Sequence, residues 1–382
     1  MANDVYVVGT DMIKFGRFPN RTVDDLGAES ALGALSDAGL KIQDIQALYC
    51  SNVFQAMGAV GQRVLKQIGQ TGIEVMNVTN ACASGATAFR LAYLGIKSGE
   101  YECTMAVGVE QMGSGLQGGA GGAGMAISPE GILGSNSNPA VFAHTGLEHT
   151  RKYGTTFAQF AQISVKNHHH STLNPKAMYQ KETPLEEVMS SEMISYPNTK
   201  LMCSVNVDGS AAAILMSEKE VKKRGLMSRA VKVRASALSS EPYVTRDISM
   251  QDFNAATRLA ADAAYERGSV GPDDINLVEL HDCFATAEMV HYENLRLCKD
   301  GEAGAFLDSG ATTLGGKVPV NVSGGLLSKG HPIGATGVAN VYEIVQHLRG
   351  EAGARQVEGA RMGMTHVVGM GTACAVHILE KV

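Results

Sequence analysis

The sequence predicts an α/β protein made of two pseudo-symmetric βα repeats, with a long segment inserted in the first. Three observations carry this. Short apolar, β-branched runs alternate with Ala-rich amphipathic stretches from Val5 to Glu110, the pattern of strands covered by helices. The alternation stops after Glu110 and returns from Val231 onward. The second stretch then echoes the first in order. Asp44-Ile45-Gln46-Ala47-Leu48 is answered by Asp274-Ile275-Asn276-Leu277-Val278, and Asn77-Val78-Thr79 by Asn321-Val322-Ser323. Gly85-Ala86-Thr87 is answered by Gly334-Ala335-Thr336, and Val107-Gly108 by Val368-Gly369. Echoes in matching order are the mark of an internal duplication.

Taken in order, Val5 to Gly9 reads as a buried strand and Asp24 to Ala38 as an amphipathic helix stopped at Gly39, since a left-handed helix end favours glycine. A strand at Ile45–Cys50, a helix near Ala59–Ile68, a strand at Ile73–Val78, a helix from Ala83 to Lys97 and a strand at Cys103–Val109 follow. The alternation predicts a mainly parallel sheet. Gly113 to Gly124 is Gly-rich, and Pro139 to Cys203 is mixed, with a helix at Phe157–His169, before Asn206–Met216 regains strand character. The expected division is 1–118 plus 206–229 as the first half, 119–205 as an inserted segment placed to cover a site, and 230–382 as the second half.

Composition narrows the class. Apolar residues make up 45% and charged residues 18%, which fits a well-buried globular chain rather than a disordered one. A net charge of −6 leaves no electrostatic footprint for nucleic acid, and no apolar run is long enough to span a bilayer. The start, Met1-Ala2-Asn3-Asp4, has no basic leader, and Leu379-Glu380-Lys381-Val382 is not a peroxisomal ending. Seven cysteines at 50, 82, 103, 203, 283, 298 and 374 form no CxxC pair, which points to reduced thiols in a cytoplasmic compartment.

The chemistry gathers at turns. Cys82 lies between the strand ending at Val78 and the helix from Ala83, where a helix dipole favours the thiolate. Small residues at 81 and 83–86 leave the sulfur uncrowded. Alone, such a residue also fits a buried thiol in tight packing. The duplication adds to it: the Cys82 turn corresponds to Gly330-His331-Pro332-Ile333-Gly334 in the second half. Packing about a pseudo-twofold axis therefore brings an imidazole towards the thiol, an arrangement that activates a nucleophile.

Asn80-Ala81-Cys82-Ala83-Ser84-Gly85, His281-Asp282-Cys283-Phe284, Gly330-His331-Pro332-Ile333-Gly334-Ala335-Thr336-Gly337 and the ending Gly369-Met370-Gly371 resemble, in order, the motifs of the thiolase superfamily. His-Asp-Cys-Phe is similar to the sterol-carrier-protein type. The resemblance implies a five-layer α/β/α/β/α thiolase fold with an inserted loop domain, usually dimeric, and a CoA-dependent acyltransferase that cleaves or forms 3-ketoacyl-CoA. By resemblance Cys82 is the nucleophile, His331 its base, His281 an oxyanion donor and Cys283 the acid/base thiol. The usual C-terminal Cys-x-Gly is absent, for Val367-Val368-Gly369 stands there, so Cys283 takes that thiol's place. Gly369 would lend a backbone N–H to the acyl oxygen and Ser204 would touch the pantetheine arm. CoA enters as substrate, with no metal or redox cofactor. Rival readings are a retro-aldol lyase of steroid or other acyl-CoA side chains, dependent on a small OB-fold partner protein, a condensing subunit of a complex, or a silent scaffold. Cys374 reads as packing, and His168-His169-His170 as an exposed helix end whose side chains cannot all face one metal. Met112, Met125, Met178, Met189 and Met193 read either as the lining of an adaptable tunnel or as ordinary core.

Overall fold

The computed structural model describes residues 4–113, 137–243, 245, 253–370 and 373–382. The first half runs β1 (Val5–Met12), α1 (Val23–Ala38), β2 (Ala47–Ser51), α2 (Val60–Ile68), β3 (Glu74–Val78), α3 (Ser84–Lys97) and β4 (Cys103–Glu110). Among the described residues, α4 (Asn138–Tyr153), α5 (Phe157–Thr172) and α6 (Leu185–Ser190) precede a small hairpin of β5 (Met193–Ser195) and β6 (Asn198–Thr199). Then come β7 (Gly209–Ser217), α7 (Glu218–Arg224) and the second half: β8 (Val231–Ser240), α8 (Phe253–Gly268), β9 (Leu277–Glu279), α9 (Ala285–Asn294), α10 (Ala303–Asp308), α11 (Gly325–Ser328), α12 (Ile333–Arg349), β10 (Met362–Gly369) and β11 (Ala373–Lys381). Local chemistry sets several bounds. Thr22 and Asp25 form a capping box at the start of α1, and Gly39 closes it at φ 65°.

Nine strands form one sheet in the order β3-β2-β4-β7-β1-β8-β11-β10-β9. Read outward from its centre, β1-β7-β4-β2 is matched by β8-β11-β10-β9. The place of β3 is taken in the second half by a parallel bridge between Val278 and Val320. The duplication seen in the echoes is thus a duplication of strand order. The expected parallel sheet is corrected: among the described residues only β2–β3, β2–β4 and β9–β10 run parallel. Strands β1, β7, β8 and β11 pair antiparallel. Each repeat carries its first and last strands together at the centre, and βα alternation cannot report that direction.

Helices α3 and α12 lie against each other between the two halves of the sheet, with α1 and α2 on one outer face and α8 and α9 on the other. Their contact is backbone to backbone. A Cβ on Gly337 would stand 2.1 Å from the Ala86 nitrogen, and one on Gly85 2.8 Å from the Gly334 carbonyl oxygen. The small residues after Cys82 therefore admit a neighbouring helix. Gly330, at φ 114°, lies against the Val207 side chain.

The segment between β4 and β7 packs on the half it does not interrupt: α4 and α5 lie on α9, and α5 also meets α11. This overturns the exposed reading of the histidine triplet. His168 and His170 are buried while His169 faces out beside Glu182, because α5 is wrapped on several sides. His170 donates from Nδ1 to the Asn321 carbonyl oxygen (3.1 Å) and accepts at Nε2 from the Leu314 N–H (3.1 Å). The methionines do not line one tunnel. Met112 packs near Cys82, Met178 and Met189 join two different cores, Met193 is exposed, and Met125 and Gly371 lie outside the described residues.

Candidate functional site

The turn before α3 is pinned by its own chain. Ala81 takes φ 47°, the Ser84 hydroxyl donates to the Ala81 carbonyl (2.6 Å) and accepts from the Asn80 N–H (2.7 Å). Cys82 is 8% exposed, in a cluster of Ala83, Ala86, Met112, Ile333, Val367 and Ala375. The end of β10 closes on it: a Cβ at Gly369 would stand 2.9 Å from the Asn80 carbonyl oxygen and 3.2 Å from the Ala83 nitrogen. Burial pushes the Cys82 thiol up to about 12, with the Met370 N–H and its own N–H pulling the other way. The expected thiolate at a helix start is therefore corrected. Helix α3 begins at Ser84, two residues beyond Cys82, and desolvation outweighs its dipole. At rest the group is a thiol in need of a base.

Two imidazoles stand ready beside it. One ring nitrogen each of His281 and His331 and the Cys82 Sγ lie within 4.8 Å of one another, and the two rings are 5.2 Å apart. Burial holds His331 down at about 3 and His281 well below the ordinary imidazole value, so both are neutral at any physiological pH. Their hydrogen bonds then assign complementary tautomers. Thr336 Oγ1 gives its one proton to the Pro332 carbonyl (3.1 Å) and so accepts from His331 Nδ1 (2.7 Å). His331 Nε2 is left as a bare lone pair. His281 Nδ1 accepts from the Val368 N–H (3.2 Å), which puts the His281 proton on Nε2. Both Nε2 atoms are buried without a partner among the described residues. One imidazole is thus a base and the other a donor, each oriented from behind.

A thiol and two imidazoles also resemble a zinc donor set. His281 opposes that use. A metal at its Nε2 would move the proton to Nδ1, where it would face the Val368 N–H donor to donor, whereas ligating histidines give that proton to an acceptor. The arrangement suits proton transfer and charge stabilisation better than metal binding.

Cys283 is buried, its thiol held well above the ordinary value by burial first and then by the proximity of the Cys82 sulfur, whose ionised form would repel a second thiolate. Asp282 points away from it into a buried network, accepting from the Leu326 N–H (2.7 Å) and from Asn167 Nδ2 (2.8 Å). Asn167 and Asn321 also bind Glu288, which pairs with Lys166 at 2.8 Å. Ser204 is half-buried, and its N–H donates to the Cys283 carbonyl (2.8 Å). The adjoining Val205 donates to Leu326 (3.1 Å) and accepts from the His331 N–H (2.8 Å), so residues 203–205 strut the two histidine-bearing turns together. Cys374 is a buried thiol facing Thr257, as packing would have it. Sequence reasoning passed over Thr336, the 203–205 strut, Glu110 and the Lys166–Glu288 pair. Only Glu110 had a local signal, as an acid ending an apolar strand.

Known proteins resemble the chain over essentially its whole length. The family model described as thiolase, N-terminal domain, matches residues 5–195, and the thiolase C-terminal domain-like model matches residues 239–381. Sterol carrier protein 2 of Bos taurus is 39% identical over 396 residues, covering 100% of this chain and 73% of its own. An acetyl-CoA acetyltransferase of Methanothermobacter thermautotrophicus is 37% identical over 397 residues, covering 99% of this chain and 100% of its own. A solved structure described as an Ltp2-ChsH2(DUF35) aldolase shares the fold, with a TM-score of 0.86 at 23% identity over 100% of this chain and 98% of that one.

Proposed function

The chain belongs to the thiolase superfamily, in its sterol-carrier-protein type, and is a CoA-dependent acyltransferase; from that premise we propose how its own residues divide the reaction. The Cys82 thiol passes its proton to His331 Nε2 as the sulfur attacks the 3-keto carbon of a 3-ketoacyl-CoA. The N–H groups of Cys82 and Gly369 hold the acyl oxygen. The Cα–Cβ bond breaks, leaving an acyl group on Cys82 and an enolate of acetyl-CoA or propionyl-CoA. His281 Nε2–H and the newly protonated His331 face the enolate oxygen, and Cys283 protonates its carbon. Donors of this kind contribute a few kcal/mol each, more where water is excluded. Incoming CoA, deprotonated by the Cys283 thiolate, then takes the acyl group, and the released Cys82 sulfur recovers its proton from His331. Run in reverse, this is a Claisen condensation. The observation that carries the reading is the complementary pair of ring nitrogens beside one thiol.

Ser204, tied to the Cys283 turn, is proposed to meet the pantetheine arm. The division into 1–118 plus 206–229, 119–205 and 230–382 is proposed as the working domain map. Among the described residues strand β3 ends the sheet with its outer edge unpaired, which supports a homodimer. Seven free thiols support a reducing cytoplasm. No helix among the described residues is long and apolar enough to cross a membrane.

The test is CoA-dependent cleavage of acetoacetyl-CoA and of a longer 3-ketoacyl-CoA by the purified chain, with Cys82→Ala and Cys283→Ala alongside. Both variants are expected to be inactive, with acyl label trapped on Cys82 in Cys283→Ala. Normal turnover by Cys283→Ala would remove its acid/base role. A wild type inert alone but active on adding a partner would favour the partner-dependent reading, for which the named aldolase is the structural parallel.

A further inference from the structure

Among the groups that this mechanism leaves idle is Glu110, a buried side chain held by four donors. It ends β4 with 0% exposure. Its Oε1 accepts from Asn52 Nδ2 (2.9 Å) and the Phe54 N–H (3.2 Å), and its Oε2 from the Val53 N–H (2.9 Å) and the Gly334 N–H (3.1 Å). Three of these donors come from the turn after β2, and the fourth is an otherwise orphaned N–H in the first turn of α12. A carboxylate belongs at such a helix start. The Gly334 peptide is gripped from its other side as well, its carbonyl accepting from Ser51 Oγ (2.7 Å). Gly334 makes room for this seat: a Cβ there would stand 3.0 Å from Glu110 Oε2 and 2.7 Å from the Val109 carbonyl oxygen. His331 comes just before this clamped peptide, and Thr336, which orients His331, just after it.

We infer that Glu110 is a positioning residue, clamping the first turn of α12 to the ends of β2 and β4 so that Thr336 keeps His331 Nε2 aimed at Cys82. The inference deepens the reading of His331 as the base of Cys82 and rests on it. The clamp is also sensitive to protonation. Burial raises the Glu110 carboxyl to about 7, against the donors from Val53, Phe54, Gly334 and Asn52. A protonated carboxyl turns an O–H towards one of those donors, so the clamp slackens as pH falls through neutrality.

The experiment is Glu110→Gln, whose amide turns an N–H towards one of the same donors. Expected is a kcat lower by about 10- to 100-fold with KM changed by less than about threefold, the size of a misaligned catalytic group. Alkylation of Cys82 by iodoacetamide, followed by peptide mass, should slow and lose the inflection near neutrality that the wild type shows. A destabilised but otherwise indifferent variant would keep both kcat and that profile, and this result overturns the inference. If Glu110→Gln fails to fold, Ser51→Ala releases the same peptide from its other side with the charge left in place. An unchanged alkylation rate there overturns the inference equally. His331→Ala separates the two levels: if Cys82 alkylation ignores it, the base assignment fails and takes the clamp with it. A chain inert on acetoacetyl-CoA but with alkylation dependent on His331 would question the substrate and leave the clamp standing.

Discussion

The two halves of the sheet match in the order of four strands each, yet what lies behind the reacting groups differs between them. Around Cys82, the two imidazoles aside, the packing is apolar. Behind His281 and Cys283 lies buried charge: Asp282, Glu288 and Lys166 with Asn167 and Asn321, and beyond them Lys329, Glu279, Glu343 and Arg355. Histidine is divided the same way, since none occurs before His144 or between 206 and 229. A nucleophile requires a bare, approachable sulfur, whereas two imidazoles held in opposite tautomers require fixed donors and acceptors around them. Buried ions cost several kcal/mol to desolvate and survive only when fully paired, and the second half accepts that cost. The halves also complete each other crosswise. The end of β4 seats the helix after His331, and the end of β10 closes on the Cys82 turn. Duplication thus put equivalent turns at one axis, and divergence left a thiol in one and an imidazole in the other.

The largest expected effect tests the apolar side. Cys82→Ala should lower kcat by about 10⁴-fold or more, while removing one sulfur from a small apolar cluster costs about 1 kcal/mol of stability. Thiolysis and urea unfolding on the same preparation measure both. A comparable loss of stability would mean that Cys82 holds the first half together, and the contrast between the halves would fail.

On the charged side the balance should invert. Lys166→Ala leaves Glu288 buried without its ion-pair partner and is expected to cost about 3–5 kcal/mol in urea unfolding. Replacing Lys166 and Glu288 together by Met and Leu should recover most of that loss. If the single variant is neutral, the second half is not held by its ion pairs.

How much of this was legible in the chain follows the same division. Cys82, Cys283, His281 and His331 stand in compact motifs, each beside glycine or a strand end, and the strand echoes located both repeats. What was missed acts across long separations. Lys166 meets Glu288, Glu110 meets Gly334, and Asp282 meets the start of α11; none of these pairs leaves a local pattern. Strand direction was missed because a hydrophobic run reads alike in either sense. The thiolate was misjudged because a helix start can be read from sequence, whereas the depth of burial around it cannot.

Acid should separate the halves without any substitution. Burial depresses the histidines at 170, 331 and 377 to about 3 and His347 to about 4, and holds 281, 291 and 366 well below their ordinary value. A depressed folded pKa gives stability that is complete above the unfolded value of about 6.5 and is lost as pH falls towards the folded one. Urea midpoints should therefore drop between about pH 6.5 and about pH 4. Amide exchange should open α9 and β10 before β2 and β4. Simultaneous opening of both halves would show that the repeats unfold as one unit despite their different interiors.

The smallest effect concerns the means by which each imidazole is oriented. His281 takes its tautomer from the Val368 backbone N–H, which no ordinary side-chain replacement removes. His331 takes its own from a hydroxyl, Thr336 Oγ1 at 2.7 Å. Thr336→Val keeps the shape and deletes that acceptor, so the His331 proton is free to move to Nε2, where it blocks the transfer from Cys82. Loss of such an orienting partner typically costs about tenfold or somewhat more. The expected result is a kcat lower by about tenfold with KM nearly unchanged, together with slower alkylation of Cys82. A fall confined to KM would mean that Thr336 shapes the binding of substrate instead. No change in either would mean that the fold of the 330–334 turn alone keeps His331 in register, and the two histidines would then differ in chemistry but not in the kind of support they receive.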